Sequence, residues 1–357
     1  MESIMWKYIE EETAVLGGLL QDTAIMDRSL AALDMEVEAI YFVSHGSSYN
    51  AAIAAAGFIS RVAGVRAYAY TPANLLYSCG ALLCEARDKT LVIPISQTGT
   101  SRGAIEALQW ARKQGFKILS FTDAEGSPIH TMSDATIFLG CGEENSNAKT
   151  KGYSATLLQL LRLGLRLGFH KRTIERHLYD EIIRELQAQV AALASTKEKA
   201  RAWCQEIGLG KGIRNVYILG YGMNFGTAME GQLKLMETMC MPTMFNDLEE
   251  FSHGMHRAID PDSTVVLLST PHKLDGLARD TYRYLQEKAG QALMVDAAGR
   301  ETTDGNIFAL PWFPHTESLL LTTLVIQVIS VWIPEHNGKD PNAPSNNDYT
   351  DFVHTRV

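Results

Sequence analysis

Between Ser96 and Ser101 the chain places four hydroxyls and an amide in six residues, Ser96-Gln97-Thr98-Gly99-Thr100-Ser101, directly after the apolar run LVIPI. A strand, this turn and a helix from Gly103 onward leave the first N–H groups of the helix unpaired, at the end where its dipole favours an anion. Hydroxyls there add hydrogen bonds in any direction, and Gly99 permits the tight path. The set suits a phosphate monoester. Helix capping is the plain alternative, but one hydroxyl is enough for a cap. Four bonds to a charged phosphate give roughly 6–12 kcal/mol gross, against about 4–15 kcal/mol lost on association. Such a turn holds and orients a phosphorylated ligand and supplies no chemistry. A second polar turn, Ser44-His45-Gly46-Ser47-Ser48, is expected beside it, where His45 either lines the pocket or serves only the turn.

Groups able to move protons lie elsewhere. Glu230, Lys234 and Glu237 fall at i, i+4 and i+7 of one predicted helix and so share a face. A surface ion-pair ladder is the ordinary reading of that spacing. The corresponding helix in the first half of the chain, AAIAAAGFIS, is uncharged. Glu237 is expected to be partly desolvated, with its pKa raised. His253, in EEFSHGM, is able to give or take a proton near neutral pH. His256 is close by, but no HxxxH helix or third ligand accompanies it, so neither a metal nor a cofactor is expected.

The elements that must position these groups repeat. AIYFVSHGSSYNAAIAAAGFIS (39–60) and NVYILGYGMNFGTAMEGQLKLME (215–237) share the order strand, glycine turn, helix, with Tyr41 and Tyr217 176 residues apart. KTLVIPIS pairs with STVVLLST, KILSFTD with ALMVDAA, and ATIFLG with NIFALPW. A spacing held over four elements marks an internal repeat. Short continuous apolar runs alternating with helices predict parallel sheets covered on both faces. The reading is two α/β lobes: a helical extension over 1–35, lobes at 36–170 and 213–335, a helical connection at 171–212, and a C-terminal tail at 336–357. In the second lobe the turn matching SQTGTS is STPHKLDG, much poorer in hydroxyls. A purely architectural cluster belongs in both.

The bulk composition narrows the class. The 357 residues are 46% hydrophobic and 20% charged, ordinary globular values. No apolar run reaches the roughly 18 residues of a membrane span, so no membrane partner is expected. The opening MESIMWKYIEEE lacks the regions of a signal peptide. Five scattered cysteines without a CxxC pair fit a reducing cytoplasm. A net charge of −9 without a basic run speaks against nucleic-acid binding. The glycines of GYGMNFG are at the wrong spacing for a dinucleotide fingerprint.

In combination, HGSS, SQTGTS, NAKTKGYSATL (147–157), MEGQLKLME (229–237) and EEFSHGM (249–255) resemble the sugar isomerase (SIS) family in tandem over nearly the whole chain. The resemblance is to the isomerase half of glucosamine-6-phosphate synthase and to fructosamine-6-phosphate deglycases. It implies flavodoxin-like three-layer αβα lobes and a phosphosugar ligand. It implies phosphate bound by Ser96, Gln97, Thr98 and Ser101 with Ser48, and Ser47 and His45 nearby. It puts the C1–C2 proton shuttle at Glu237, matches Lys234 to the isomerase lysine, and implies a homodimer in which His253 enters the neighbouring subunit's site. Glu250 is expected to orient that loop.

The sequence also departs from the family. Met255 stands where the family has proline after HG, and Lys149 is inserted before Thr150-Lys151, either adding a positive charge near the sugar or pointing away. No amidotransferase segment is expected ahead of the pair, and no lysine follows Lys339. The expectation is therefore a deglycase releasing hexose 6-phosphate from a sugar-amine 6-phosphate through ring opening and an enaminol. The alternatives are an aminosugar-6-phosphate isomerase or deaminase, and a non-catalytic phosphosugar sensor.

Overall fold

The computed structural model describes residues 2–22, 24–210 and 212–357. Its strands form two five-stranded sheets. The first contains β1 (Ala39–Val43), β2 (Arg66–Tyr70), β3 (Thr90–Pro94), β4 (Lys117–Thr122) and β5 (Ala135–Phe138), in the order β2-β1-β3-β4-β5. The second contains β6 (Asn215–Gly220), β7 (Thr243–Asp247), β8 (Ser263–Ser269), β9 (Gln291–Asp296) and β10 (Ile307–Ala309), in the order β10-β9-β8-β6-β7. All neighbouring strands run parallel. Read from the other edge, the second order repeats the first, so β6 corresponds to β1 and β8 to β3.

Parallel strands need crossover helices, and those helices bury both faces of the sheet. This is why β1, β3 and β8 are buried at every position and mostly apolar. On one face of the first sheet, Tyr41, Val92 and Ile118 pack against Ala104, Leu108 and Ala111 of the Arg102–Lys113 helix. In the second, Leu219, Val265 and Met294 meet Ala278, Tyr282 and Leu285 of the Asp275–Lys288 helix. Each lobe is a three-layer α/β unit.

The chain divides into two compact units. The first lobe holds Ala14–Glu144, Lys151–Glu181 and Ser345–Val357. The second holds Ile182–Pro344 with Asn145–Thr150 and the residues before Ala14. Helices fill the predicted extension (Ile4–Gln21 and Ala24–Leu33) and much of the predicted connection (Arg176–Glu206). The C-terminal segment is not a free irregular tail. It forms a short helix, Tyr349–Phe352, and then joins the first lobe.

Leu319–His336 is long and apolar enough, by length and composition, to cross a bilayer, although Thr322, Thr323, Gln327 and Ser330 interrupt its apolar run. In the fold 89% of it is buried, so it is a core helix of the second lobe.

Candidate functional site

In the first lobe the strand order reverses between β1 and β3, and open α/β sheets bind ligands beside such a reversal. The two polar turns follow these two strands and do adjoin. Ser101 Oγ lies 3.3 Å from His45 Nδ1. The His45 ring is pressed close to the helix start, for a methyl on Gly103 would stand 3.0 Å from its Cε1. Although solvent reaches part of the ring, desolvation draws its pKa below the ordinary histidine value.

The hydroxyls divide into two kinds. Ser96, largely buried, accepts the Gly99 N–H through Oγ at 3.1 Å and closes the turn. Gly99 has φ +65, and a methyl there would come within 2.0 Å of Ser127 Oγ, so only glycine fits. Thr98 and Thr100 share a 3.1 Å hydrogen bond between exposed hydroxyls. Ser101 stands at the N-cap position of the Arg102–Lys113 helix, yet its side chain caps nothing. The capping account therefore fails for the residue best placed to cap. Gln97 turns its amide inward, Nε2 donating to Cys141 Sγ at 3.0 Å. Cys141 in turn donates to Asp123 at 2.8 Å, and burial pushes its thiol pKa far up. Ser47 and Ser48 are half-buried in the first turn of the Gly46–Ala63 helix.

The C-terminal segment was absent from the sequence reading of this turn. Ser101 and Arg356 form an antiparallel bridge. Arg102 N–H donates to Thr355 O at 3.0 Å, and Val357 N–H to Thr100 O at 3.1 Å. One first-turn donor of the helix is thus already used. No periodic pattern marks a three-residue bridge, so the sequence carries no signal for it.

In the second lobe, the Asn224–Met239 helix carries Glu230, Lys234 and Glu237. They do not form a surface ladder. The side chains of Glu230 and Lys234 are 2% and 1% exposed, and that of Glu237 is 33% exposed. Lys234 Nζ lies 3.5 Å from Glu230 Oε1 and 2.5 Å from Glu237 Oε2. Glu237 is thus partly buried as expected, and charge-paired as well, a contact missing from the sequence reading. The helix sits tight on its sheet: a methyl on Gly231 would stand 2.7 Å from Ile218 Cδ1.

After β7, Glu250–His253 and Met255–Ala258 are single 3₁₀ turns about Gly254. His253 is exposed, as is Glu250. Asp247 shapes this loop: its Oδ1 accepts the N–H groups of Glu249 at 2.9 Å and Glu250 at 3.3 Å. His256 is tied to Phe251 O through Nδ1 at 3.2 Å. Lys149, in the short segment that joins the second lobe, is half-buried. No cluster of three metal-ligating side chains occurs among the described residues.

Two covered parallel sheets in one topology define a duplicated α/β domain. The SIS domain family model matches residues 36–165 and 212–331, and the chain belongs to that family, carrying the domain twice. A curated relative, the glutamine–fructose-6-phosphate aminotransferase (isomerizing) of Caldanaerobacter subterraneus, is 24% identical over 97% of this chain, which spans 58% of that protein's length. Among solved structures, the C-terminal domain of glucosamine-fructose-6-phosphate aminotransferase from Francisella tularensis superposes with a TM-score of 0.85 at 20% identity, covering 96% of this chain and 98% of that one. Glucosamine-6-phosphate deaminase from Thermotoga maritima gives 0.76 at 18%, with coverage of 96% and 98%. These structural likenesses establish the fold.

Proposed function

We propose that the chain is a phosphosugar enzyme, a deglycase acting on a sugar-amine 6-phosphate. The observation that carries an enzymatic reading is the Glu230–Lys234–Glu237 set: an ammonium buried between two carboxylates is costly to keep for stability alone. The exposed hydroxyls of Thr98 and Ser101, with Ser48 nearby, take the phosphate, and Ser96 acts by holding the turn. His253 protonates the ring oxygen as the sugar opens, and in a homodimer it serves the neighbouring subunit. Glu237 removes a C1 proton from the open ketoamine, giving the enaminol, and returns a proton to C2. The resulting C1 imine adds water and breaks its C–N bond, releasing hexose 6-phosphate and the free amine. Lys234, in contact with its carboxylate, holds Glu237 in place.

The deaminase among the structural neighbours supports a second reading, an aminosugar-6-phosphate isomerase or deaminase. One assay separates the two. The chain is incubated with fructosamine 6-phosphates of several amino acids and with glucosamine 6-phosphate, and hexose 6-phosphate, amine and ammonia are measured. Amino-acid release is expected from the first group. Glu237→Gln should bind the same ligands and turn over about 10²–10⁴-fold more slowly. Turnover of glucosamine 6-phosphate alone favours the second reading, and an unchanged rate in Glu237→Gln removes that residue from the mechanism.

A further inference from the structure

The second lobe repeats the first lobe's topology, so it has a strand reversal of its own, between β6 and β8. The turns after these strands, Tyr221-Gly222-Met223 and Thr270-Pro271-His272, correspond to the two polar turns of the first lobe. Between them lies a side chain that the sequence reading did not single out. Glu317 is 4% exposed. Its Oε2 accepts the Met223 N–H at 3.2 Å, and its Oε1 lies 3.1 Å from His272 Nε2. The turn is built around this carboxylate: Gly222 has φ +59, and a methyl on it would stand 2.9 Å from Glu317 Oε2. The backbone is bent to deliver it, since Glu317 and Ser318 are consecutive left-handed residues with φ of 50° and 53°. Non-glycine residues rarely adopt that conformation singly, and two in succession persist only where the surroundings hold them.

We propose that the Glu317 carboxylate is a built-in anion that fills the second lobe's ligand cleft and confines exogenous phosphate to the first lobe. A carboxylate taking a backbone N–H at the start of a helix and facing an imidazole does there what a bound phosphate oxygen does. With the second cleft self-occupied, exogenous phosphate is left the first lobe's turn at Thr98 and Ser101. That first-lobe assignment rests on the phosphate reading above; the filled cleft does not.

The test is removal of the plug. Glu317→Gly is the preferred variant, because glycine accepts a φ of 50° without strain. Glu317→Asn, shorter and tolerant of the same backbone, replaces it should the glycine variant not fold. Crystals of wild type, Glu317→Gln and the plug-removed variant are soaked in inorganic phosphate, and solution stoichiometry is measured by calorimetry. In the plug-removed variant, one additional phosphate per chain is expected between Met223 N–H and His272 Nε2, and it should vanish when His272→Ala is added. Wild type and Glu317→Gln should show none at that position. A folded plug-removed variant with no phosphate there overturns the proposal, as does phosphate at that position in wild type. Phosphate missing from the first lobe instead overturns the first-lobe phosphate reading, so the two failures are distinguishable.

Discussion

At the scale of single residues, His45 shows how a polar turn is made sensitive to pH. Its pKa is drawn below the ordinary value of 6.5 by desolvation. The unfolded chain therefore binds the proton more tightly than the folded one. Stability associated with His45 is fully present above pH 6.5 and is lost as pH falls through the depressed folded value. Denaturant titrations of wild type and His45→Gln between pH 7.5 and 5 should show the wild type losing more stability on acidification. Identical pH slopes would remove His45 as the source. The residue's presence at the turn was legible, since a histidine in a glycine turn after a strand has few places to go. Its hydrogen bond to Ser101 was not, because that needs the rotamers of two residues 56 positions apart. Glu317 was hidden for a similar reason: its partners lie 94 and 45 residues away, and it meets them only through left-handed backbone that no local pattern announces.

At the scale of elements, the charged helix of the second lobe was read correctly in its spacing and incompletely in its surroundings. Positions i, i+4 and i+7 fix a common face, but whether that face meets water or protein depends on packing. Here Gly231 lets the helix settle onto β6, and Glu230 and Lys234 go under with it. Removing one member of a buried set strands the others. Lys234→Ala is expected to lower unfolding free energy by about 3–5 kcal/mol, because it leaves Glu230 buried without its cation. The double variant Glu230→Gln/Lys234→Met, close in volume and uncharged, should regain most of that loss. Equilibrium urea unfolding measures both. A double variant no more stable than Lys234→Ala would mean that packing, and not charge, accounts for the effect. The strands were the most legible elements of all. Parallel strands buried on both faces must be continuous apolar runs, and the repeat supplied four of the five strands of each sheet; the edge strands β2 and β7, largely not buried, carried no such run. The hydroxyl turn was legible in composition alone: the count of hydroxyls pointed to a ligand, but that Ser96 closes the turn while Ser101 caps nothing and meets His45 emerges only from the turn's folded path.

At the scale of the whole molecule, the last residues of the chain complete the first lobe. Thr355 and Val357 bond to the backbone of Arg102 and Thr100, beside the hydroxyl turn. Deleting residues 353–357 should leave both sheets folded and speed hydrogen–deuterium exchange at the Arg102 amide, with little change in β1 or β3. Unchanged exchange at Arg102 would show that the bridge is not populated in solution. The sequence reading placed residues 336–357 as a tail following the second lobe, since Pro, Asn and Asp give no period to follow and a partner some 250 residues back leaves no local trace.

That closing bridge bears on how the protein is born. The five strands of the first sheet are complete by Phe138, while the segment that finishes its polar turn begins at Ser345. More than two hundred residues separate the two, about 10–40 s of ribosomal synthesis. The lobe that emerges first is therefore the last to be finished, and throughout that interval its polar turn is open to any chaperone, or to the wrong neighbour.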